Sequence, residues 1–317
     1  MHLIFDGNYL FYKTLSVIRS RNEDPSMLNA LDTEEKCKQF INKVTIDMCS
    51  TIKKFKDYGK IIIVFDSPSW RKQFYSEYKA NREKNKEDEG AWDMFYFLMD
   101  HWTKKIKKKG IIVSKVEGME GDDLLYMYSR AFAKKKEFSC IITGDKDMIQ
   151  CVDEFVYLFN NNSTTLEMYH LGEEFKHFLY FEDKKTKFTS VDPKVYKIRK
   201  ILIGDSGDNV PNLKRGLGEG TANKIIEHFF KTSQEFYGLA SGKLLFQSCE
   251  KFFKITNAEF DEAFRRNNSL VNLDEMIYDI NQIQLIKDEI NDKISNWEGL
   301  KCSMDFKEIL GFKQLIK

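Results

Sequence analysis

Carboxylates fall at telling places along this chain. Asp6 follows Leu3-Ile4-Phe5, and Asp66 follows the run Ile61–Phe65. Glu120, Asp122 and Asp123 follow the run at 111–116, and Asp145 and Asp147 follow Cys140–Gly144. Taken singly, an acid just after a strand reads as the cap of the next helix. Taken together, parallel strands would deliver all of them to one sheet edge, where open α/β sheets bind their ligands. Two carboxylates about 4 Å apart repel by roughly 4 kcal/mol at an effective dielectric near 20. Such a cluster therefore calls for protons or for cations. Oxygen donors without Cys or His suit Mg²⁺ or Mn²⁺ better than zinc. Two such ions set close together favour in-line attack of water on a phosphodiester. The expectation is metal-dependent phosphoryl chemistry, with no covalent enzyme intermediate, because no Ser or Cys has an adjacent base in a recognisable motif.

A basic complement accompanies the acids. Trp70-Arg71-Lys72-Gln73-Phe74-Tyr75-Ser76-Glu77-Tyr78-Lys79-Ala80-Asn81-Arg82 interleaves cations with aromatics, a composition that suits phosphate contacts and base stacking. It lies between Asp66 and the strand expected at 111, and that long connection leaves room for a lid. On a helix, Lys79 and Arg82 would share one face. The lysines at 104–109 read as a solvated helix end, where cations suit the dipole.

The elements that must position these groups can be read from the pattern. Apolar runs at His2–Phe5, Ile61–Phe65, Ile111–Ser114, Ser139–Thr143 and Phe155–Phe159 alternate with amphipathic segments at Glu34–Tyr58, Trp92–Lys109 and Asp122–Lys136. Strands separated by helices imply crossover connections and a mostly parallel sheet covered on both faces. Asn160–Ser163 reads as a hairpin turn. Asp192-Pro193 starts a helix that ends at Gly204, and a second helix begins near Thr221. Beyond residue 235 only helices are expected.

Composition excludes several classes. The chain has 317 residues, 42% hydrophobic and 14% aromatic, with 4 Pro and 17 Gly. That is neither a disordered nor a collagen-like composition. With 50 Lys+Arg against 49 Asp+Glu, net charge points to no partner. The 6 Cys form no C-x-x-C pair, so neither zinc nor a disulfide framework is expected. A carboxylate at position 6 argues against a signal peptide, and no apolar run reaches membrane-span length. A soluble protein of a reducing compartment is expected.

Phe65-Asp66, Tyr78-Lys79-Ala80-Asn81-Arg82, Glu120-Gly121-Asp122-Asp123, Thr143-Gly144-Asp145-Lys146-Asp147 and Ile203-Gly204-Asp205-Ser206-Gly207-Asp208-Asn209 occur in that order. In this they resemble the 5′ nucleases of the flap-endonuclease and 5′-3′ exonuclease family, the phage-type members above all. The likeness covers residues 1 to about 230 and continues more weakly around Glu259–Asp274. It implies a PIN-like α/β catalytic domain over 1–190 with a helical arch at about 70–110. A helical DNA-binding domain over 191–317 would carry a helix-hairpin-helix-like element at about 192–230.

The resemblance also implies roles. Asp6, Asp66, Glu120 and Asp122, with Asp123 beside them, would surround one metal. Asp145, Asp147, Asp205 and Asp208 would serve a second, some through water. Lys79 and Arg82 would grip the scissile phosphate and Tyr78 would stack on a base. Arg71, Lys72, Lys214, Arg215, Gly216, Gly218 and Thr221 would contact DNA. The implied cofactors are two Mg²⁺, replaceable by Mn²⁺, with a K⁺ at the hairpin. Three departures bear on that K⁺: Asn212 stands in place of Gly, one residue is inserted near Lys214-Arg215, and Gly220 replaces Lys. The implied substrates are branched or 5′-flap DNA and RNA/DNA hybrid, cut by 5′-3′ exonuclease, flap endonuclease or primer-removing ribonuclease H activity. A single-stranded-DNA-binding protein and a sliding clamp are the implied partners of a monomer in the cytoplasm, that of the host if a phage encodes it.

Two rival readings stand beside this one. A haloacid-dehalogenase-like phosphatase also places aspartates after parallel strands, and 204–208 resembles one of its motifs, but Phe5-Asp6-Gly7-Asn8 lacks the second Asp of its nucleophile pair. A non-catalytic binder of branched DNA would have lost carboxylates that are present here. The segment Phe306–Phe312 reads as packed core or as a contact for a replication protein.

Overall fold

The structure, a computed structural model, describes residues 1–20, 30–83, 89–162, 166–171, 186–232, 240–274 and 278–301. Seven strands run β1 (His2–Asp6), β2 (Ile61–Val64), β3 (Ile112–Ser114), β4 (Ser139–Ile142), β5 (Val156–Asn161), β6 (Leu166–Leu171) and β7 (Lys187–Val191). They form one sheet in the order β3-β2-β1-β4-β5-β6-β7. Every pairing is parallel except β5 with β6. The expected parallel α/β sheet is present. The turn expected at Asn160–Ser163 falls partly outside the described residues.

The sheet is doubly wound. Chain order proceeds outward from β1 through β2 to β3, then returns to the other side of β1 at β4. Helices α1 (Gly7–Arg19) and α2 (Glu34–Ile52) pack on each other. Two short helices, α3 (Arg71–Phe74) and α4 (Ala80–Glu83), precede α5 (Glu89–Lys108), which packs on α2 and β3. Leu3, Phe5, Ile61, Ile63 and Val113 join Phe11, Phe40, Phe95 and Trp102 in one core. Within it the Trp102 indole N–H donates to Thr45 Oγ1 (2.9 Å), so the ring's polar edge is satisfied in an apolar setting. Helix α6 (Gly121–Ala133) packs on β1, β2 and β4. With both faces covered, Ile61–Val64 can be a continuous apolar strand, buried at every position.

Two compact units divide the chain: Met1–Pro68 with Lys86–Val191 and Asp279–Lys317, and Ser69–Asn85 with Asp192–Tyr278. These units differ from the expected spans of 1–190 and 191–317 at two places. Helix α11 (Ile280–Ser295) belongs to the first unit and packs on α6 and β3, because Ile286 and Ile290 are buried there. The expected arch at 70–110 is also divided. Residues 69–85 go with the second unit, while α5 buries Phe95, Leu98, Trp102 and Ile106 in the first.

The second unit contains α7 (Pro193–Ile203), α8 (Glu219–Thr232), α9 (Ala240–Phe252) and α10 (Asn257–Val271) around a core of Leu202, Leu213, Leu217, Ile225, Phe229 and Phe260. Asp192 caps α7 and Pro193 occupies its first turn, as the sequence predicts. No described helix is long and apolar enough to cross a membrane. The five described cysteines are buried and free. Phe306–Phe312 lies outside the described residues.

Candidate active site

The sheet's switch point lies between β1 and β4, the edge at which open α/β sheets bind their ligands. Asp6 closes β1 at this edge and caps α1, accepting from the Tyr9 amide (2.8 Å). Its other oxygen accepts from Thr143 Oγ1 (2.9 Å), which sits just past β4. The same Thr143 oxygen accepts from the Asp145 amide (3.1 Å). One buried hydroxyl thus ties the end of β1 to the loop that carries Asp145.

Asp66, two residues past β2, is fixed by two neighbours. Its amide donates to Asn8 Oδ1 (3.1 Å), and its Oδ1 accepts from the Gly121 amide at the start of α6 (2.6 Å). A Cβ on Gly121 would stand 3.0 Å from that oxygen, so a small residue suits the approach. Asp145 is exposed and accepts from the Asp147 amide (2.8 Å), opening a 3₁₀ turn over Lys146–Cys151. Gly144 lets the Tyr9 ring approach: a Cβ there would lie 2.3 Å from it.

Asp6 shows the electrostatic result. Burial, then the neighbouring Asp66 and Asp145 charges, push its carboxyl up to about 7, against the hydrogen bonds from Tyr9 and Thr143. The Tyr9 hydroxyl is buried with no hydrogen-bond partner among the described residues, and burial with the Asp6 charge pushes it to about 12. Hard oxygen donors, neighbouring carboxylates and an orphaned hydroxyl suit a divalent cation. Among the described residues, no three Asp, Glu, His or Cys side chains are set closely enough to hold one ion in this geometry.

The other predicted acids differ in their settings. Glu120 is nearly buried and precedes α6, and Asp122 is half-buried in that helix's first turn. Asp123 is wholly buried and its Oδ2 accepts from the Glu120 amide (3.0 Å). It is the N3 member of a capping box with Glu120 at the start of α6. Asp205 and Asp208 belong to the second unit, where each has a cation of this chain as partner. Asp205 pairs with Lys200 (2.7 Å); burial alone would raise its carboxyl, but Lys200 and the loop amides hold it below the ordinary value. Asp208 pairs with Arg82 (2.5 Å) and Lys79 (3.7 Å).

Among the expected DNA contacts, Lys72, Arg215, Gly216 and Gly218 are exposed and Thr221 is half-buried. Gly216 has φ +91°, a conformation that favours glycine. Lys214 pairs with Glu259 (2.8 Å), so its charge is partly offset. Arg71 is corrected: it is fully buried, its Nε donates to the Leu270 carbonyl (3.1 Å) and its guanidinium stacks on Trp70. Tyr78 is corrected too, since its ring is buried with Val210 and Leu270, out of reach of a base. Lys79 has φ +56° and precedes α4, so it does not share a helical face with Arg82.

At the hairpin, Asn212 Nδ2 donates to the Leu217 carbonyl (2.5 Å) and Arg266 donates to the Asn212 backbone carbonyl (3.4 Å). Each of these two carbonyls thus accepts from a side chain of this chain. Thr143, Asn8 and Tyr9 are the site residues that sequence reasoning missed. Thr143 lay inside a quoted motif, but only the fold shows its hydroxyl joining two strands.

A doubly wound sheet with acids at its switch point and a helical hairpin unit defines a PIN-like, resolvase-type α/β protein. The 5′-3′ exonuclease N-terminal resolvase-like domain matches residues 1–177, and the chain belongs to that family. It is 33% identical to DNA polymerase I of Borreliella burgdorferi over 189 residues, 58% of this chain and 18% of the polymerase. It is 25% identical to a 5′-3′ exonuclease of Mycoplasma pneumoniae, covering 82% of this chain and 85% of that one. The chain thus spans less than a fifth of the polymerase it resembles. The fold is that of a zinc-bound bacteriophage T5 5′-exonuclease, at 18% identity and a TM-score of 0.60, with 94% of this chain and 99% of the other covered. A bacteriophage T5 flap endonuclease in a pseudo-enzyme-product complex with DNA and metal ions superposes at 18% identity and a TM-score of 0.59, covering 98% of this chain and 97% of that one.

Proposed function

We propose that this chain is a structure-specific 5′ nuclease that hydrolyses phosphodiesters in 5′-flap or branched DNA and in RNA/DNA hybrids, with Mg²⁺ as its metal. The observation that carries this reading is the placing of Asp6, Asp66 and Asp145 at the ends of neighbouring parallel strands, with Thr143 joining Asp6 to the loop of Asp145; burial, and then the Asp66 and Asp145 charges, push the Asp6 carboxyl up to about 7. Bound divalent ions would supply an activated water and offset charge on the phosphate. Asp6, Asp66 and Asp145, with Glu120, Asp122 and Asp147, are the residues that would hold them. Thr143 and Tyr9 keep Asp6 oriented through the hydrogen bonds it accepts, and Asn8 and Gly121 do the same for Asp66. Lys79 and Arg82 would bind backbone phosphate, where fixed cations count most as charge builds up. The hairpin at Lys214–Thr221 presents an exposed loop followed by the start of α8, a setting suited to duplex phosphates.

A single-turnover assay with 5′-labelled flap DNA and Mg²⁺ tests the reading. Short labelled 5′ products are expected from the native chain and none from Asp145→Asn. Release of inorganic phosphate alone, or binding without cleavage, would replace it with the phosphatase or the non-catalytic binder.

A further inference from the structure

The second unit gathers three donors of the segment at 78–82 onto one acid. Asp208 accepts from the Tyr78 hydroxyl (3.3 Å) and pairs with Lys79 (3.7 Å) and Arg82 (2.5 Å). The Lys79 ammonium also lies 4.9 Å from the Tyr78 ring centroid, held between the aromatic face and the carboxylate. We propose that Asp208 is the positioning residue that holds Lys79 and Arg82 in place before nucleic acid binds, and that a substrate phosphate takes Arg82 over from it.

The backbone supports a built contact. Lys79 (φ +56°) and Asn209 (φ +58°) are both left-handed, a conformation that a residue such as Lys rarely keeps unless its surroundings impose it. They are coupled across the two segments. The Lys79 amide donates to the Asp208 carbonyl (2.9 Å), and Asn209 Nδ2 donates to the Glu77 carbonyl (2.8 Å). Asn81 Nδ2 adds contacts to the Ser206 and Gly207 carbonyls (3.4 and 3.3 Å). The loop that carries Asp208 is itself closed by paired hydrogen bonds between Asp205 and Val210 (2.9 and 2.7 Å). Gly204 turns it at φ +67°, where a Cβ would meet the Val210 carbonyl at 2.3 Å.

The exchange follows from unequal exposure. The Asp208 side chain is 18% exposed and that of Arg82 60%, so the arginine can turn outward while the acid stays. An ion pair with so exposed a partner is weak. A phosphate offers the guanidinium bidentate, charge-assisted bonds and can outcompete it. Asp205 does not share this role, because Lys200 holds it.

The exchange rests on the nuclease reading; the anchoring does not, and the two are tested separately. Limited trypsin digestion of the full chain, with EDTA and without nucleic acid, reads cleavage after Lys79 and Arg82. Asp208→Asn should raise that rate about tenfold, the loss expected for charged hydrogen bonds to one acid. Asp208→Glu should stay near the native rate, as should Asp274→Asn, an acid of the same unit paired with Lys197 (3.6 Å). An unchanged rate in Asp208→Asn, or equally fast cleavage in Asp208→Glu, overturns the anchor. Should Asp208→Asn fail to fold, Arg82→Asp combined with Asp208→Arg decides, read as cleavage after Lys79 alone: restored protection relative to Arg82→Asp alone supports the pair, and none refutes it. Still in EDTA, Asp208→Asn should bind 5′-flap DNA several-fold more tightly than the native chain. Equal affinity overturns the exchange, whereas no binding by either protein overturns the nuclease reading and leaves the anchor standing.

Discussion

Asp6 is where burial and charge oppose each other most directly. Its carboxyl keeps a proton to about pH 7 in the folded chain, against an ordinary 3.8. The folded state therefore binds the extra proton between those values, and the linked stability is complete below about pH 3.8 and lost as pH rises through 7. In the metal-free protein this group should lower unfolding free energy by at most about 4 kcal/mol between pH 4 and 8. Asp6→Asn should flatten that slope in urea titrations at fixed ionic strength; an equally steep slope in the variant would place the repulsion elsewhere. The same reasoning expects Asp66→Asn to abolish cleavage without lowering metal-free stability. These acids were legible from sequence because an acid ending a strand is a local pattern. Thr143, whose hydroxyl joins two strands, was not. Arg71 misled because cations alternating with aromatics look the same whether they face phosphate or, as here, stack on Trp70 and bond a buried carbonyl.

At the scale of elements, the strands that carry the acids were readable because both sheet faces are covered and their runs are uniformly apolar. Strand β7 was not, since Lys187–Val191 is at most half-buried and carries no such signature. Helix α5 shows how one element can mix signals. Its buried stripe of Phe95, Leu98, Trp102 and Ile106 belongs to the core, whereas the sequence suggested an arch reaching to residue 110. Its last turn ends in Lys105, Lys107 and Lys108, and Lys104 pairs with Asp100 one turn earlier (2.6 Å). Lys107 and Lys108 can then supply only diffuse attraction to a polyanion. Lys107→Gln with Lys108→Gln should weaken flap-DNA binding and reduce the slope of log affinity against log salt by up to about 2. The saturated single-turnover rate should survive, and a collapse of that rate at saturating enzyme would give the helix end a part in the chemistry.

The whole chain interleaves its two units, which linear reading could not reveal. Segment 69–83 joins the helical unit, and 279–301 returns to the sheet. That return is held by specific contacts. Ser114, at the end of β3, donates to Glu289 (2.9 Å), and the Trp297 indole donates to the Gly110 carbonyl (2.8 Å). The Lys301 amide donates to the Lys109 carbonyl (2.9 Å), and Lys60 lies over the Trp297 ring. Gly110 is left-handed at φ +85°, and a Cβ there would meet the Gly299 carbonyl at 2.1 Å, so this turn and the returning chain are fitted to each other. Buried Ile286 and Ile290 contribute about 2–3 kcal/mol each by area alone. A chain ending at Tyr278 should therefore lose at least about 4 kcal/mol from the sheet unit and expose the outer side of α6 and β3. Urea unfolding followed by hydrogen exchange checks this, with the expected loss of protection confined to α6, β3 and the strands beside it. Were protection to fall instead in α7–α10, or not at all, the returning helix would have no share in holding the sheet whose edge carries the acids.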